Sequence, residues 1–230
     1  MARKSRKGQR REPQTVSPKF GRTLDEVAAE FGAQFSNDDC LLVNLSSILI
    51  EFGKRKGYEL RLTRDRLKEI CAYTHGFGCL STRIAPNLSI HFKNHHLGST
   101  IEAKETQAGS SSIRFLSKVC LGEATSFPIV GVSQEYWEIQ RHLDKKGDGE
   151  MDHTLVILKA TDVDIEYYDP FQKRATATGI NESVHRMPTV VFTRIWTEAY
   201  MASRWMLWIR ERAQTSTLLP YIKEGHTNGR

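Results

Sequence analysis

A helix-rich first half followed by a strand-rich second half predicts an α+β domain, built as one central N-terminal helix packed on an antiparallel sheet. Three observations carry that reading. In Gln34 to Gly53, QFSNDDCLLVNLSSILIEFG, residues Leu41, Leu45, Ile48, Leu49 and Phe52 recur at helical spacing, and Leu42, Val43 and Ile50 make the other sides apolar too. That is a helix buried in a core. Pro128–Val132, His153–Lys159, Ile165–Tyr168 and Thr189–Thr193 are short runs rich in β-branched and aromatic residues, which read as strands. Helices and strands are segregated rather than alternating, so the sheet is expected to be antiparallel.

Taken in order, residues 1–22 read as a basic disordered tail and a Pro-containing linker, and Thr23 opens a short helical pattern through Leu24, Val27, Ala28 and Phe31 that Gly32 ends. Ser36, Asn37, Asp38 and Asp39 can each cap the central helix, and Gly53 suits a left-handed stop before a basic turn, Lys54–Gly57. Thr63–Tyr73 reads as a second helix with Leu67, Ile70 and Cys71 inward, broken by His75-Gly-Phe-Gly78. From Ser81 to Phe92 the periodicity is weak and Pro86 interrupts it; Gln107–Ser112 is a polar loop. Residues 194–212, with Trp196, Trp205 and Trp208, read as an amphipathic helix docked on the domain. The expected organisation is a tail at 1–22, a catalytic-size domain at 23–195, a C-terminal helix at 196–222 and a tail at 223–230.

Composition narrows the class. At 230 residues, 39% hydrophobic and 26% charged, the chain suits one soluble globular domain, and no apolar run approaches a membrane span. The basic N-terminus is followed by no apolar stretch of a secretory signal, so the four cysteines are expected reduced, in the cytoplasm. The net charge of +6 is local: six basic side chains and one acid in residues 1–12 supply five of those charges. The tail can contact anionic surfaces, but the nearly neutral remainder predicts no specific nucleic-acid partner.

Cys40 falls at the start of the central helix, where free N–H groups and the helix dipole favour a thiolate over a thiol. A cysteine nucleophile also needs a base and a group to orient that base, usually from distant sequence. His153 opens one predicted strand and Asp169 ends the next, so a hairpin brings both to one end of the sheet. Leu155 and Ile157 share the His153 face by alternation, which would border that imidazole with apolar side chains.

The run Gln34-x4-Asp39-Cys40, the helix that follows and the later His153-x15-Asp169-Pro170 resemble the bacteriocin-processing cysteine peptidases, papain-like enzymes that remove double-glycine leader peptides. The resemblance spans about residues 30–195. It implies a papain-like fold, a peptide or protein substrate, no cofactor, and a Cys40–His153–Asp169 triad with Gln34 lining the oxyanion hole. Leu41-Leu42 and Asn44 stand where that family commonly has Gly-Pro and a later pair of small residues, and the membrane transporter to which that domain is usually joined is not expected here. A freestanding papain-like hydrolase is the resulting expectation.

Competing readings attach to the same residues. A thioester on Cys40 would equally serve a transglutaminase or an acyltransferase, and an idle papain-like module would bind peptides without cleaving them. Cys71, His75, Cys79, His91, His95 and His96 are soft ligands without a CxxC pair, so buried thiols and surface histidines are expected rather than zinc. Asp144, Asp148, Glu150 and Asp152 lack the spacing of a calcium loop and read as a solvated acidic turn before His153.

Overall fold

The structure, a computed structural model, describes residues 40–75, 78–79, 83–107, 109–136, 152–169, 184–200 and 203–213. Gln34, the capping candidates at 36–39, the N-terminal tail with the short helix expected there, most of the acidic turn and the C-terminal tail lie outside the described residues.

Six antiparallel strands form one sheet in the order β1-β6-β2-β3-β4-β5. They are β1 (Ile101–Glu105), β2 (Ile129–Val132), β3 (His153–Ala160), β4 (Asp164–Tyr168), β5 (Val184–Pro188) and β6 (Met206–Glu211). Helices cover both faces. One face packs on α1 (Cys40–Lys56), α2 (Arg64–Ile70) and α3 (Ile84–Asn94) through a core that joins Leu45, Ile48 and Phe52 to Val156, Leu158 and Leu207. The other packs on α4 (Ile113–Leu121) and α5 (Thr189–Thr197), joining Leu116, Phe192 and Trp196 to Val130, Leu155, Ile157 and Tyr167. The α+β class and the central helix are as the patterning predicts.

Helix α1 is buried on nearly every side, including the polar Asn44, Ser47 and Glu51. It runs past Gly53 to Lys56, so the expected stop at Gly53 is corrected: the left-handed residue is Gly57, at φ 76°. Lys54, Arg55 and Lys56 form its last turn, where cations complement the negative end of the dipole. Gly53 serves a close approach instead. Its carbonyl accepts from the Tyr58 N–H at 2.8 Å, and a Cβ there would lie 2.5 Å from the Tyr58 carbonyl oxygen. Arg55 then ties this end of the helix to the carbonyls of Glu123 and Thr125.

Three other elements depart from expectation. The final amphipathic helix is corrected to a helix, a turn and a strand: α5 ends at Thr197, and Met206–Glu211 is β6, seated between β1 and β2. In β6, Leu207 and Ile209 enter one core and Met206 and Trp208 the other, so the continuous apolar run is that of a strand buried on both faces. The domain therefore extends beyond 195, to Glu211 at least. Thr189–Thr193, expected as a strand, is the first turn of α5; the Thr193 and Thr197 hydroxyls donate to carbonyls four residues back, and Phe192, Ile195 and Trp196 face inward. Pro86 does not prevent α3, because it occupies the first turn, where no intrahelical N–H bond is lost. Among the described residues, no helix is long and apolar enough to cross a membrane.

Candidate active site

Cys40, His153 and Asp169 come together where the N-terminus of α1 meets the end of β3 and β4. Cys40 is the first residue of α1 and His153 the first of β3. Asp169 directly follows β4, and β3 and β4 pair antiparallel with Val156 opposite Tyr168. Strand alternation puts His153 on the face of Leu155 and Ile157, as expected, whereas α1 packs on the opposite face, beside Val156 and Leu158. Contact is possible because both groups are terminal: the thiol reaches the imidazole at the end of the strand.

His153 Nε2 lies 3.0 Å from Asp169 Oδ1, and both side chains are fully buried. The Cys40 thiol is hydrogen-bonded to the same imidazole. With Nε2 committed to Asp169, Nδ1 is the nitrogen left to face sulfur. Burial pushes the Cys40 thiol up, but hydrogen bonding to His153, its positive charge and hydrogen bonds from Thr154 outweigh that, so its pKa falls below the ordinary thiol value. Burial would lower His153, yet the Asp169 carboxylate and Cys40 together raise it to about 9. A thiol that loses its proton easily beside an imidazole that keeps one describes a thiolate–imidazolium pair. Such a pair can attack a carbonyl carbon and protonate a leaving group.

Three further residues complete the arrangement, and the sequence reading passed over their part in it. Asn44, one turn along α1 from Cys40, donates through Nδ2 to the Thr154 carbonyl at 2.9 Å and to its hydroxyl at 3.0 Å. Those two bonds fasten the cysteine helix to the residue after His153. The single amide of α1, four residues from the cysteine in a run that is apolar around it, was the available signal; it registers in the sequence as a departure from the family pattern instead. Tyr136, after β2, donates its hydroxyl to Asp169 Oδ2 at 2.6 Å and stacks on the His153 ring. No local pattern announces it. Asp152, directly before His153, accepts from the backbone N–H of Tyr200 at 3.0 Å.

The other candidate ligands are dispersed. Cys71 is buried in the α1 core, Cys79 is half-buried, and His91 is buried with Arg66 against its Nδ1 and the His95 ring at 4.3 Å. His75 is exposed beside the Tyr73 hydroxyl. Among the described residues no three His, Cys, Asp or Glu side chains are grouped to hold a metal ion. All four cysteines are free thiols.

No family model and no curated protein matches this chain. Several solved structures are similar to it, two of which are the following. The peptidase domain of Streptococcus ComA, a bi-functional ABC transporter involved in a quorum-sensing pathway, is 16% identical with a TM-score of 0.45, over 80% of this chain and 98% of that one. A double glycine motif protease from an AMS/PCAT transporter, solved with a leader peptide, is 12% identical with a TM-score of 0.45, over 78% of this chain and 89% of that one.

Proposed function

We propose that the protein is a papain-like cysteine peptidase that hydrolyses a peptide bond through Cys40, His153 and Asp169. The observation that carries this reading is the buried Cys40–His153–Asp169 line, in which one imidazole bridges a thiol of lowered pKa and a carboxylate at 3.0 Å. The Cys40 thiolate attacks the carbonyl carbon, forming a carbon–sulfur bond, while His153 hands its proton to the departing amine as the carbon–nitrogen bond breaks. His153, now neutral, takes a proton from water, whose oxygen attacks the thioester; the acid product leaves and the thiolate–imidazolium pair returns. Asp169 keeps the ring in the required tautomer and stabilises its charge. Gln34 is the proposed oxyanion donor, on the sequence pattern alone, joined by the Cys40 backbone N–H at the helix start.

Hydrolysis is preferred to acyl transfer because water, the nucleophile it needs, is always present whereas an acceptor amine must be bound, and a peptide leader ending in two glycines is the first substrate class to try. The expected setting is a reducing one, such as cytoplasm, given four free thiols. The test is a library of leader-type and unrelated peptides incubated with the full chain and with Cys40→Ala, products being read by mass spectrometry. Cleavage by the wild type alone supports the peptidase. Transfer of the acyl group to an added amine, with no hydrolysis product, favours an acyltransferase instead, and turnover by Cys40→Ala rejects the nucleophile.

A further inference from the structure

Asp169 is fully buried, and a buried carboxylate with only one oxygen engaged would be both costly as an anion and free to turn about its last torsion. Here both oxygens are engaged, Oδ1 by His153 Nε2 at 3.0 Å and Oδ2 by the Tyr136 hydroxyl at 2.6 Å. A phenol giving its proton to a carboxylate at that distance makes a strong, charge-assisted bond. The Tyr136 ring itself stacks on the imidazole, with centroids 5.4 Å apart and planes 19° apart. One side chain therefore holds both the carboxylate and the plane of the ring it supports.

The tyrosine is itself held. Tyr136 is fully buried, in a turn where its N–H bonds the Ser133 carbonyl at 3.0 Å, and Ser133 in turn donates to Ile195 of α5 at 2.9 Å. Its hydroxyl is also hydrogen-bonded to that of Tyr167, whose ring meets it edge-on. Burial and the neighbouring Asp169 charge raise the Tyr136 pKa well above its ordinary value, which keeps the O–H intact throughout the working pH range.

We propose that Tyr136 is a positioning residue of this site, fixing the Asp169 carboxylate through its hydroxyl. This rests on the reading of Cys40, His153 and Asp169 given above. An aromatic that merely filled the core would need its ring and not its oxygen, so Tyr136→Phe separates the two roles. Without the donor, Asp169 is less stable as an anion, the imidazolium loses support, and the Cys40 thiolate becomes harder to form.

The measurement is alkylation of Cys40 in the full chain by limiting iodoacetamide from pH 5 to 9, read by peptide mass spectrometry, with circular dichroism confirming that each variant is folded. Tyr136→Phe should move the Cys40 labelling midpoint upward and slow labelling at pH 7 by roughly three- to tenfold, about half to one pH unit. In an Asp169→Ala background Tyr136→Phe should change nothing further, because its partner is gone. Labelling of Tyr136→Phe that matches wild type, or an equal loss with and without Asp169, overturns the proposal while a reactive wild-type Cys40 leaves the peptidase reading intact. A wild-type Cys40 that labels as an ordinary thiol removes that reading, and this one with it.

Discussion

Burial raises the pKa of a thiol and lowers that of an imidazole, so Cys40 and His153 would both be neutral if each were buried alone. Together, with Asp169 behind, they shift the other way, Cys40 down and His153 up to about 9. The pair is ionised between those two values, and turnover should be bell-shaped in pH. The acid limb belongs to protonation of the thiolate, below the ordinary thiol range; the alkaline limb belongs to loss of the imidazolium proton near 9, the two being properties of a coupled pair. Asp169→Asn removes the charge that holds His153 up, so the alkaline limb should fall toward the ordinary imidazole value. Turnover should drop strongly with little change in KM, since tautomer control and not a substrate contact is lost. A pH–rate profile of that variant superposing on wild type would move the orienting role elsewhere. At this scale the meeting of Cys40, His153 and Asp169 was legible because their residue types and chain order constrain where they can fall. Tyr136 and Thr154 were not, because a tyrosine after a strand and a threonine within one have many ordinary uses.

Among the elements, α1 was readable from apolar spacing alone, since a helix buried on all sides leaves little choice of partner face. Leu45 at its centre is fully buried, and Leu45→Ala should cost about 2–5 kcal/mol in urea unfolding. Cys40→Ala, at the helix start, should cost much less while abolishing hydrolysis. Comparable losses of stability would mean that Cys40 is chiefly a core residue. The strand β6 was misread for a physical reason: Trp205 to Ile209 is apolar at every position, and a strand facing two cores shows no alternation to separate it from a buried helix. The same holds in reverse for Thr189–Thr193, where β-branched composition masked the inward spacing of Phe192, Ile195 and Trp196. Because β6 lies between β1 and β2, a chain ending at residue 203 should lose cooperative unfolding, whereas a dispensable docked helix would leave the transition in place. Circular dichroism in a urea series decides between them.

For the molecule as a whole, the sheet separates two cores, and the candidate site lies at its end, where side chains from helix and strands converge. The α+β class was legible from segregated composition, but the helices on the second face were not, since α4 and α5 interrupt the strand-rich half. Charge is distributed just as unevenly. Deleting residues 1–12 removes five of six net positive charges, so binding to anionic vesicles should weaken at low salt while peptide cleavage stays unchanged. Lost cleavage would place that segment in the active site. The central claim, that Cys40 is a nucleophile ionised by its imidazole partner, is tested most directly by limiting iodoacetamide on the native chain across pH 5 to 9, with each cysteine read by mass spectrometry. Cys40 should label where a free thiol of pKa about 8.5 is still protonated, ahead of Cys71, Cys79 and Cys120, and His153→Ala should shift that labelling to higher pH. A Cys40 that labels like an unperturbed thiol and ignores His153→Ala would contradict it.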